Sequence, residues 1–292
     1  MASVRKRRPE NAPGDFFVDT SCIDCDACRW IAPHTFARAG EQSIVCSQPL
    51  DAAQEERALM ALVACPTASI GTVQRHDIAA AARRFPEAID GGVHYCGYHD
   101  ESSFGAASYL IVRDASRGGN VLVDTPRFAT PLVRRLEALG GVRTLFLTHK
   151  DDVGDHQRFR DHFACERILH VDDADDELRA IERLVEGRTP VRLDAEIELL
   201  PVPGHTRGSL CLLLRDQYLF SGDHVAWSER LQHVYAFRES CWFDWAEQTR
   251  SMRSLLDRRF EWILPGHGRR CQMDADAMHT ELEWAVRWME SR

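Results

Sequence analysis

Four apolar stretches of this 292-residue sequence each end on a side chain that can bind a metal: "LFLTH" at His149, "LLPVPGHT" at His205, "YLFSGDH" at Asp223 and "WILPGHG" at His267. Directly after the first comes "KDDVGDH", which adds Asp151, Asp152, Asp155 and His156. One apolar run ending on a polar residue means little, because polar residues favour loops. Four in one chain, three of them beside a glycine, read differently. Imidazoles and carboxylates gathered from several strand ends are how a sheet builds a metal pocket.

A second set of ligands lies near the start. "SCIDCDACRW" spaces Cys22, Cys25 and Cys28 at three-residue intervals, so that three thiolates can converge on one small object. Cys65, in "VACPT", is the fourth candidate, and Pro66 stiffens the chain directly after it. A structural zinc site usually pairs two Cys-x-x-Cys units rather than a triple and a distant Cys-Pro. Cys46 has no partner at ligand spacing and reads as a small buried hydrophobe.

Elements must hold both sets. "DAAQEERALMALVA" (51–64) has helical apolar spacing and an aspartate at its start, and predicts a helix delivering Cys65. "GTVQRHDIAAAARRFPEAIDGG" (71–92) predicts a short helix and a turn joining two parts, with His76 as a surface histidine. Beyond it, "ASYLIVRD", "GNVLVDTP", "RTLFLTH", "ERILHV", "IELLPVPGH", "SLCLLLRD" and "QYLFSGD" read as buried or half-buried strands. "ATPLVRRLEALG" and "FDWAEQTRSMRSLLDRR" read as helices between them. Strands flanked by helices predict a layered α/β arrangement.

The three-cysteine run, the "AP" after it and the distant Cys-Pro resemble a single-cluster bacterial ferredoxin over about residues 14–75. The resemblance implies one [4Fe–4S] cluster held by Cys22, Cys25, Cys28 and Cys65. Residues 92–270 resemble the metallo-β-lactamase superfamily, through "VLVDTP", the histidine loop, "PGHT", "SGD" and "PGHG" in that order. This implies an α/β (α+β) chain in which a small ferredoxin-like domain precedes a four-layer αβ/βα sandwich. It also implies His149, Asp155, His156, His205, Asp223 and His267 as ligands of one or two metal ions, with Asp223 bridging and Asp124 supporting the ligand loop. The family loop is His-x-His-x-Asp-His. Here Asp-His arrives two residues late and an acid replaces the second histidine, so that Asp151, Asp152 or neither takes the vacated place. The second metal position, from Asp155, His156, His267 and Asp223, reads as complete. So many carboxylates favour iron or manganese over zinc.

The expected organisation is a flexible basic tail at 1–13, the ferredoxin-like domain at 14–75, a linker at 76–91 and the metallo-β-lactamase-like domain at 92–292. The resemblance implies a hydrolase in which metal-activated water attacks a small ester-, lactone- or thioester-like substrate, with Asp223 and Asp155 as the catalytic acids. Two alternatives stay open: a diiron oxidoreductase fed electrons by the cluster and a redox donor protein, or a redox sensor without enzymatic activity. "HYCGYHDESSFG" and the aromatic segment 226–245 are candidate substrate loops, through His99, His233 and Tyr235.

Bulk composition restricts the partners. A formal charge of −9 excludes a broad basic surface of the kind that binds nucleic acid non-specifically. No apolar run reaches the roughly 20 residues needed to span a membrane. The N-terminal "MASVRKRRPENAPGDFF" lacks the apolar core of a signal peptide, and the ten cysteines cluster rather than alternate, which together predict a cytoplasmic, reducing setting.

Overall fold

The computed structural model describes residues 2–176 and 178–292. They form two compact units: residues up to Val112 together with Thr125–Gly141, and Arg113–Asp124 together with Val142–Arg292. Strands and helices mix in both, as the α/β expectation requires.

In the first unit, the strand Phe16–Val18 pairs antiparallel with Ile70–Thr72, bringing the two ends of the cysteine-bearing region together. Between them lie the short helix Ala27–Ile31, the hairpin Phe36–Ala39 with Gln42–Val45, and the helix Ala52–Ala64. The last begins where its aspartate predicts: Asp51 accepts from the Gln54 N–H at 2.8 Å, and Cys65 follows its final turn. Phe17, Ile31, Phe36, Val45 and Met60 fill the core. Further along, the helix Ala79–Arg83 leads into an antiparallel meander of Glu87–Asp90, Val93–Tyr95 and Tyr109–Ile111.

The expected flexible tail is instead packed. Buried Arg8 donates to the carbonyls of Ser43 and Ala39 at 3.2 and 3.1 Å. Buried Asn11 bonds the backbone of Arg8, Val18 and Val45 at 2.7–3.0 Å. Runs of basic residues usually stay solvated, but here the donors satisfy backbone carbonyls that strand pairing leaves open. Cys46, expected buried, is exposed, its Sγ 3.4 Å from the Thr35 carbonyl.

In the second unit, Val121–Val123, Thr144–Phe146, Glu166–His170 and Arg183–Val185 run parallel. A six-stranded sheet follows the order Val191–Arg192, Ile197–Pro201, Leu210–Leu214, Tyr218–Gly222, Trp262–Pro265, Cys271–Gln272. The parallel pairing of Tyr218–Gly222 with Trp262–Pro265 sets "SGD" and "PGHG" side by side at the same strand end. The helices Trp245–Ser254 and Ala275–Glu290 pack Met252, Met278, Leu282 and Val286 into a core with Leu213, Leu219 and Ile263. No helix among the described residues is long and apolar enough to cross a membrane.

Candidate metal centres

The cysteine-rich loop is built by two left-handed residues, Asp24 (φ 62°) and Asp26 (φ 67°), which curl the chain around its own sulfurs. Both aspartates pair with the buried Arg29 guanidinium, which fixes the loop from behind. Cys22, Cys25, Cys28 and Cys65 line one small pocket closed by Val18, Ile23, Pro66 and Ile70. Burial pushes the Cys25 thiol up to about 12, against the Ala27 N–H bond, and Cys65 and Cys22 add repulsion. Burial likewise pushes Cys28 well up. Four sulfurs so placed cannot carry charge together without a cation among them. Yet donors to sulfur are in position: the Ser43 N–H on Cys22 at 3.5 Å and the Ser69 N–H on Cys65 at 3.3 Å, while the Cys28 thiol donates to the Ser43 hydroxyl at 3.3 Å. Four convergent thiols with sulfur-directed donors fit an iron–sulfur cluster.

The second centre lies where the strands of the second unit end. Nε2 of His149 is 3.8 Å from Asp152 Oδ2 and 3.9 Å from Asp223 Oδ2. Nε2 of His205 is 3.4 Å from Asp151 Oδ2 and 3.7 Å from Asp223 Oδ2. The two imidazoles meet edge to face, 4.7 Å between centroids. Two ligand groups result: His149, Asp151 and His205, and His149, Asp152 and Asp223. Donors around an ion at about 2.1 Å stand about 3.4 Å apart in a tetrahedron, close to these spans. Nε2 of both His149 and His205 is buried without a hydrogen bond among the described residues. Buried nitrogens left unbonded in this way fit a metal.

Glycines make the room. A Cβ on Gly266 would lie 2.8 Å from Asp152 Oδ2 and 3.0 Å from Asp223 Oδ1. At Gly204 (φ +152°) it would lie 2.2 Å from the Gln248 Cβ, so "PGHT" can lie against the helix Trp245–Ser254 only with glycine there.

Charge explains the rest. Burial lowers the His149 pKa to about 4, keeping its imidazole neutral and able to ligate. Burial also opposes ionisation of Asp223, but His267, His149 and His205 hold it far below the usual carboxylate range. Asp152 goes the other way, raised first by burial and then by the charge of Asp223. Two carboxylates buried this close repel, and a divalent cation relieves both.

Of the expected ligands, His149, Asp151, Asp152, His205 and Asp223 come together. His267 reaches them through Asp223, its Nδ1 2.9 Å from Oδ2. Asp155 and His156 join neither ligand group, contrary to the expectation of a complete second position. The 3₁₀ turn Lys150–Asp152 and the left-handed Gly154 (φ 34°) use up the two extra residues, so His156 opens the helix His156–Phe163. There its Nδ1 lies 3.1 Å from Arg167, while Asp155 pairs with Arg158 at 3.2 Å. Asp152 takes up the position beside Asp223 instead.

Asp124 supports the ligand loop as expected. Its carboxylate accepts from the Thr148 N–H at 2.8 Å and hydroxyl at 2.9 Å, and the Thr148 hydroxyl reaches His149 Nδ1 at 2.9 Å. That chain fixes the ring with Nε2 towards the site. Sequence reasoning missed Asp173. Buried among ligand loops, it accepts from the Lys150 N–H at 3.1 Å, the Thr206 hydroxyl at 2.6 Å and the Gly208 N–H at 2.8 Å. It thereby ties the loop of Asp151 and Asp152 to that of His205. Only its acidic run, "HVDDADD", could have marked it.

The expected substrate contacts are placed elsewhere. His233 pairs with Glu281 at 3.0 Å and stacks on Trp284, centroids 3.9 Å apart. Tyr235 packs on Phe237 and Trp288. Both therefore serve the packing of the C-terminal helix. His99 lies in the first unit, buried, bonded through its ring to Tyr95 and Gly105. Within the same aromatic segment the site's neighbour is Trp242: its N–H donates to the His205 carbonyl at 2.9 Å, and its ring, 66% exposed, stands 6.3 Å from the imidazole.

Residues 18–72 match the family model of the 4Fe-4S single cluster domain of Ferredoxin I. A hydroxyacylglutathione hydrolase of Shewanella denitrificans is 32% identical over 123 residues, 39% of this chain and 46% of that protein, so the chain spans about half the length of that relative. ETHE1 from Myxococcus xanthus aligns with a TM-score of 0.48 at 20% identity, over 68% of this chain and 89% of its own. The B3 metallo-β-lactamase BLEG-1 aligns with a TM-score of 0.49 at 18% identity, over 62% of this chain and 93% of its own. Residues 18–72 thus match a single-cluster ferredoxin domain, and a 123-residue stretch of the chain is similar to part of a hydroxyacylglutathione hydrolase.

Proposed function

We propose that the second unit is a metal-dependent hydrolase of a small ester- or thioester-like substrate, and that the ferredoxin domain serves it with one [4Fe–4S] cluster on Cys22, Cys25, Cys28 and Cys65. The observation that carries this reading is the convergence of His149, Asp151, Asp152, His205 and Asp223 in two overlapping groups that share His149, all of them buried but Asp151. Likeness to a hydroxyacylglutathione hydrolase supports hydrolysis and a thioester.

When bound, divalent ions in such a site supply Lewis-acid activation of water and of a substrate carbonyl near neutral pH. His149, Asp151 and His205 would hold one, and Asp152 and Asp223 beside His149 would hold the other, with His267 bonded to Asp223. Asp223, whose carboxyl lies far below the usual carboxylate range, faces both imidazoles and anchors His267. Asp124 and Thr148 keep His149 in the ligating orientation, and Asp173 holds the two ligand loops in register. Trp242 and Phe243, whose N–H groups both reach the His205 carbonyl, offer an apolar rim, with the Arg207 guanidinium 5.1 Å over the Phe243 ring as its cation. Three acids against three imidazoles favour iron or manganese over zinc.

The ferredoxin match favours a second reading, in which the same centre is a diiron oxidoreductase receiving electrons from the cluster and a donor protein. Assays of acyl thioesters, esters and lactones by the full chain separate the two. Hydrolysis indifferent to dithionite and abolished in Asp223→Asn supports the first, and turnover only with a reductant supports the second. Elemental analysis of protein purified without added metal tests the ion: zinc alone would overturn iron and manganese.

A further inference from the structure

The ferredoxin match ends at residue 72, yet a wall against Cys25 comes from much later in the chain. Gly105 sits in the left-handed region at φ +81°, and a Cβ there would lie 2.7 Å from the Cys25 Cβ, 3.0 Å from its Sγ and 3.2 Å from the Pro66 Cγ. Its backbone therefore lies flat on a ligand and on the proline that follows another. No side chain fits between them.

One residue holds this wall in place. His99, 1% exposed, donates its backbone N–H to the carbonyl of Ala64 at 3.1 Å, the residue directly before Cys65. Its ring reaches forward, Nδ1 to the Gly105 carbonyl and Nε2 to the Tyr95 hydroxyl. A carbonyl only accepts, so Nδ1 carries the proton, and Nε2 accepts from the tyrosine. Trp30, two residues past Cys28, packs on both rings, 4.7 Å from Tyr95 and 6.2 Å from His99 between centroids. His99 thus touches the neighbours of Cys25, Cys28 and Cys65 at once. The turn it closes is tight in itself: the Gly105 N–H donates to the Asp100 carbonyl at 2.9 Å, and the Asp100 side chain caps Ser102 at 2.8 Å.

We propose that residues 95–106 are a cap built onto the ferredoxin domain, which shuts water and oxygen away from the Cys25 side of the cluster, and that His99 is its positioning residue. Solvent access and local dielectric set both the potential of a cluster and its lifetime in air. Opening the cap raises the potential, because water stabilises the more negative reduced state, and exposes the cluster to oxidation.

The test uses the full chain, purified and reconstituted without oxygen, in parent form and as His99→Leu, His99→Asn, Gly105→Ala and Phe104→Ala. The visible absorbance of the cluster is followed in air, and its midpoint potential is measured by redox titration with electron paramagnetic resonance. His99→Leu and Gly105→Ala should lose the cluster about tenfold faster, with potentials moved to more positive values. His99→Asn, whose amide replaces the Nδ1–H donor, should recover part of both. Phe104→Ala, at the exposed tip of the turn, should match the parent. Parent-like lifetime and potential in His99→Leu and Gly105→Ala would overturn the proposal. If neither variant folds, Tyr95→Phe decides, since it removes only the hydroxyl that holds Nε2: a smaller change in the same direction supports the cap, and no change refutes it.

Discussion

Asp152 Oδ2 stands 3.8 Å from Nε2 of His149, and Asp223 approaches the same nitrogen at 3.9 Å. The first acid lies three residues from that histidine on a 3₁₀ turn, and the second ends a strand of the other sheet. Two carboxylates on one neutral imidazole define where a cation belongs.

That arrangement separates Asp152 from the Asp-His pair that follows it. Asp152→Ala should lower the bound metal and the turnover sharply, because it removes the partner that sits across from Asp223. Asp155→Ala and His156→Ala should leave metal content close to the parent's, their side chains being engaged with Arg158 and Arg167. Inductively coupled plasma analysis of the three variants checks this. Loss of metal in His156→Ala but not in Asp152→Ala would mean that the helix start, not the 3₁₀ turn, supplies the ligand.

Asp173 touches no metal position, yet accepts from three donors in the two ligand loops. Asp173→Ala leaves those buried donors unpaired and should cost about 3 kcal/mol of stability. It should also weaken metal binding by about 10- to 100-fold, the range typical of groups that orient ligands. Competition with a chromophoric chelator measures the second effect, and thermal unfolding the first. Asp173→Asn, which can still accept one bond, should fall between.

The strand ends that carry His149, His205, Asp223 and His267 were legible because each rests on a local pattern, an apolar run that ends on a polar side chain, beside a glycine in all but the first. Helix 52–64 was legible for the same reason, through its Asp51 cap and its spacing. What sequence left open depends on backbone dihedrals and distant packing. Gly154 at φ 34° decides that Asp152 rather than Asp155 turns inward, and no residue pattern announces that angle. Asp173 sits in a run of four aspartates, of which packing buries it against the ligand loops. His99 lies in a stretch read as a substrate loop, and only tertiary contacts tie it to Ala64 and Gly105. The basic N-terminus looked solvated because the carbonyls that bind Arg8 belong to residues some 30 positions away.

His76 predicts a pH effect on stability. Its ring lies between Asp15, 2.5 Å from Nε2, and Glu55, 2.9 Å from Nδ1. The hydrogen bond that its ring donates to Asp15 raises its pKa above 6.5. Asp15 is lowered from 3.8: burial pushes it up, but the Gln74 N–H and the His76 ring outweigh that. The imidazolium contribution is complete below pH 6.5 and is lost as pH rises through the raised folded value. That of Asp15 is complete above pH 3.8 and is lost as pH falls through its lowered one. The tie is therefore strongest between about pH 4 and about pH 6.5. His76→Gln should cost about 1 kcal/mol near pH 6 and progressively less towards pH 9. Thermal unfolding of parent and variant across that range checks it, and a cost that grows with pH would reverse the assignment.

Trp242 offers the most direct reading of the substrate side. Its backbone is pinned by the N–H bond to the His205 carbonyl, and the Asp244 N–H on the Gly204 carbonyl at 3.0 Å holds the same segment down. Trp242 is nonetheless 66% exposed, which leaves a large apolar face beside His205. Truncation costs the fold little for that reason, while a substrate packing there loses an aromatic partner worth about 1 kcal/mol or more. Trp242→Ala should accordingly raise KM roughly fivefold to tenfold, with metal content, melting temperature and kcat near the parent's. Trp242→Phe should restore most of the affinity. A fall in kcat with unchanged KM would instead make the indole a support for His205, and a loss of metal in the same variant would confirm that role.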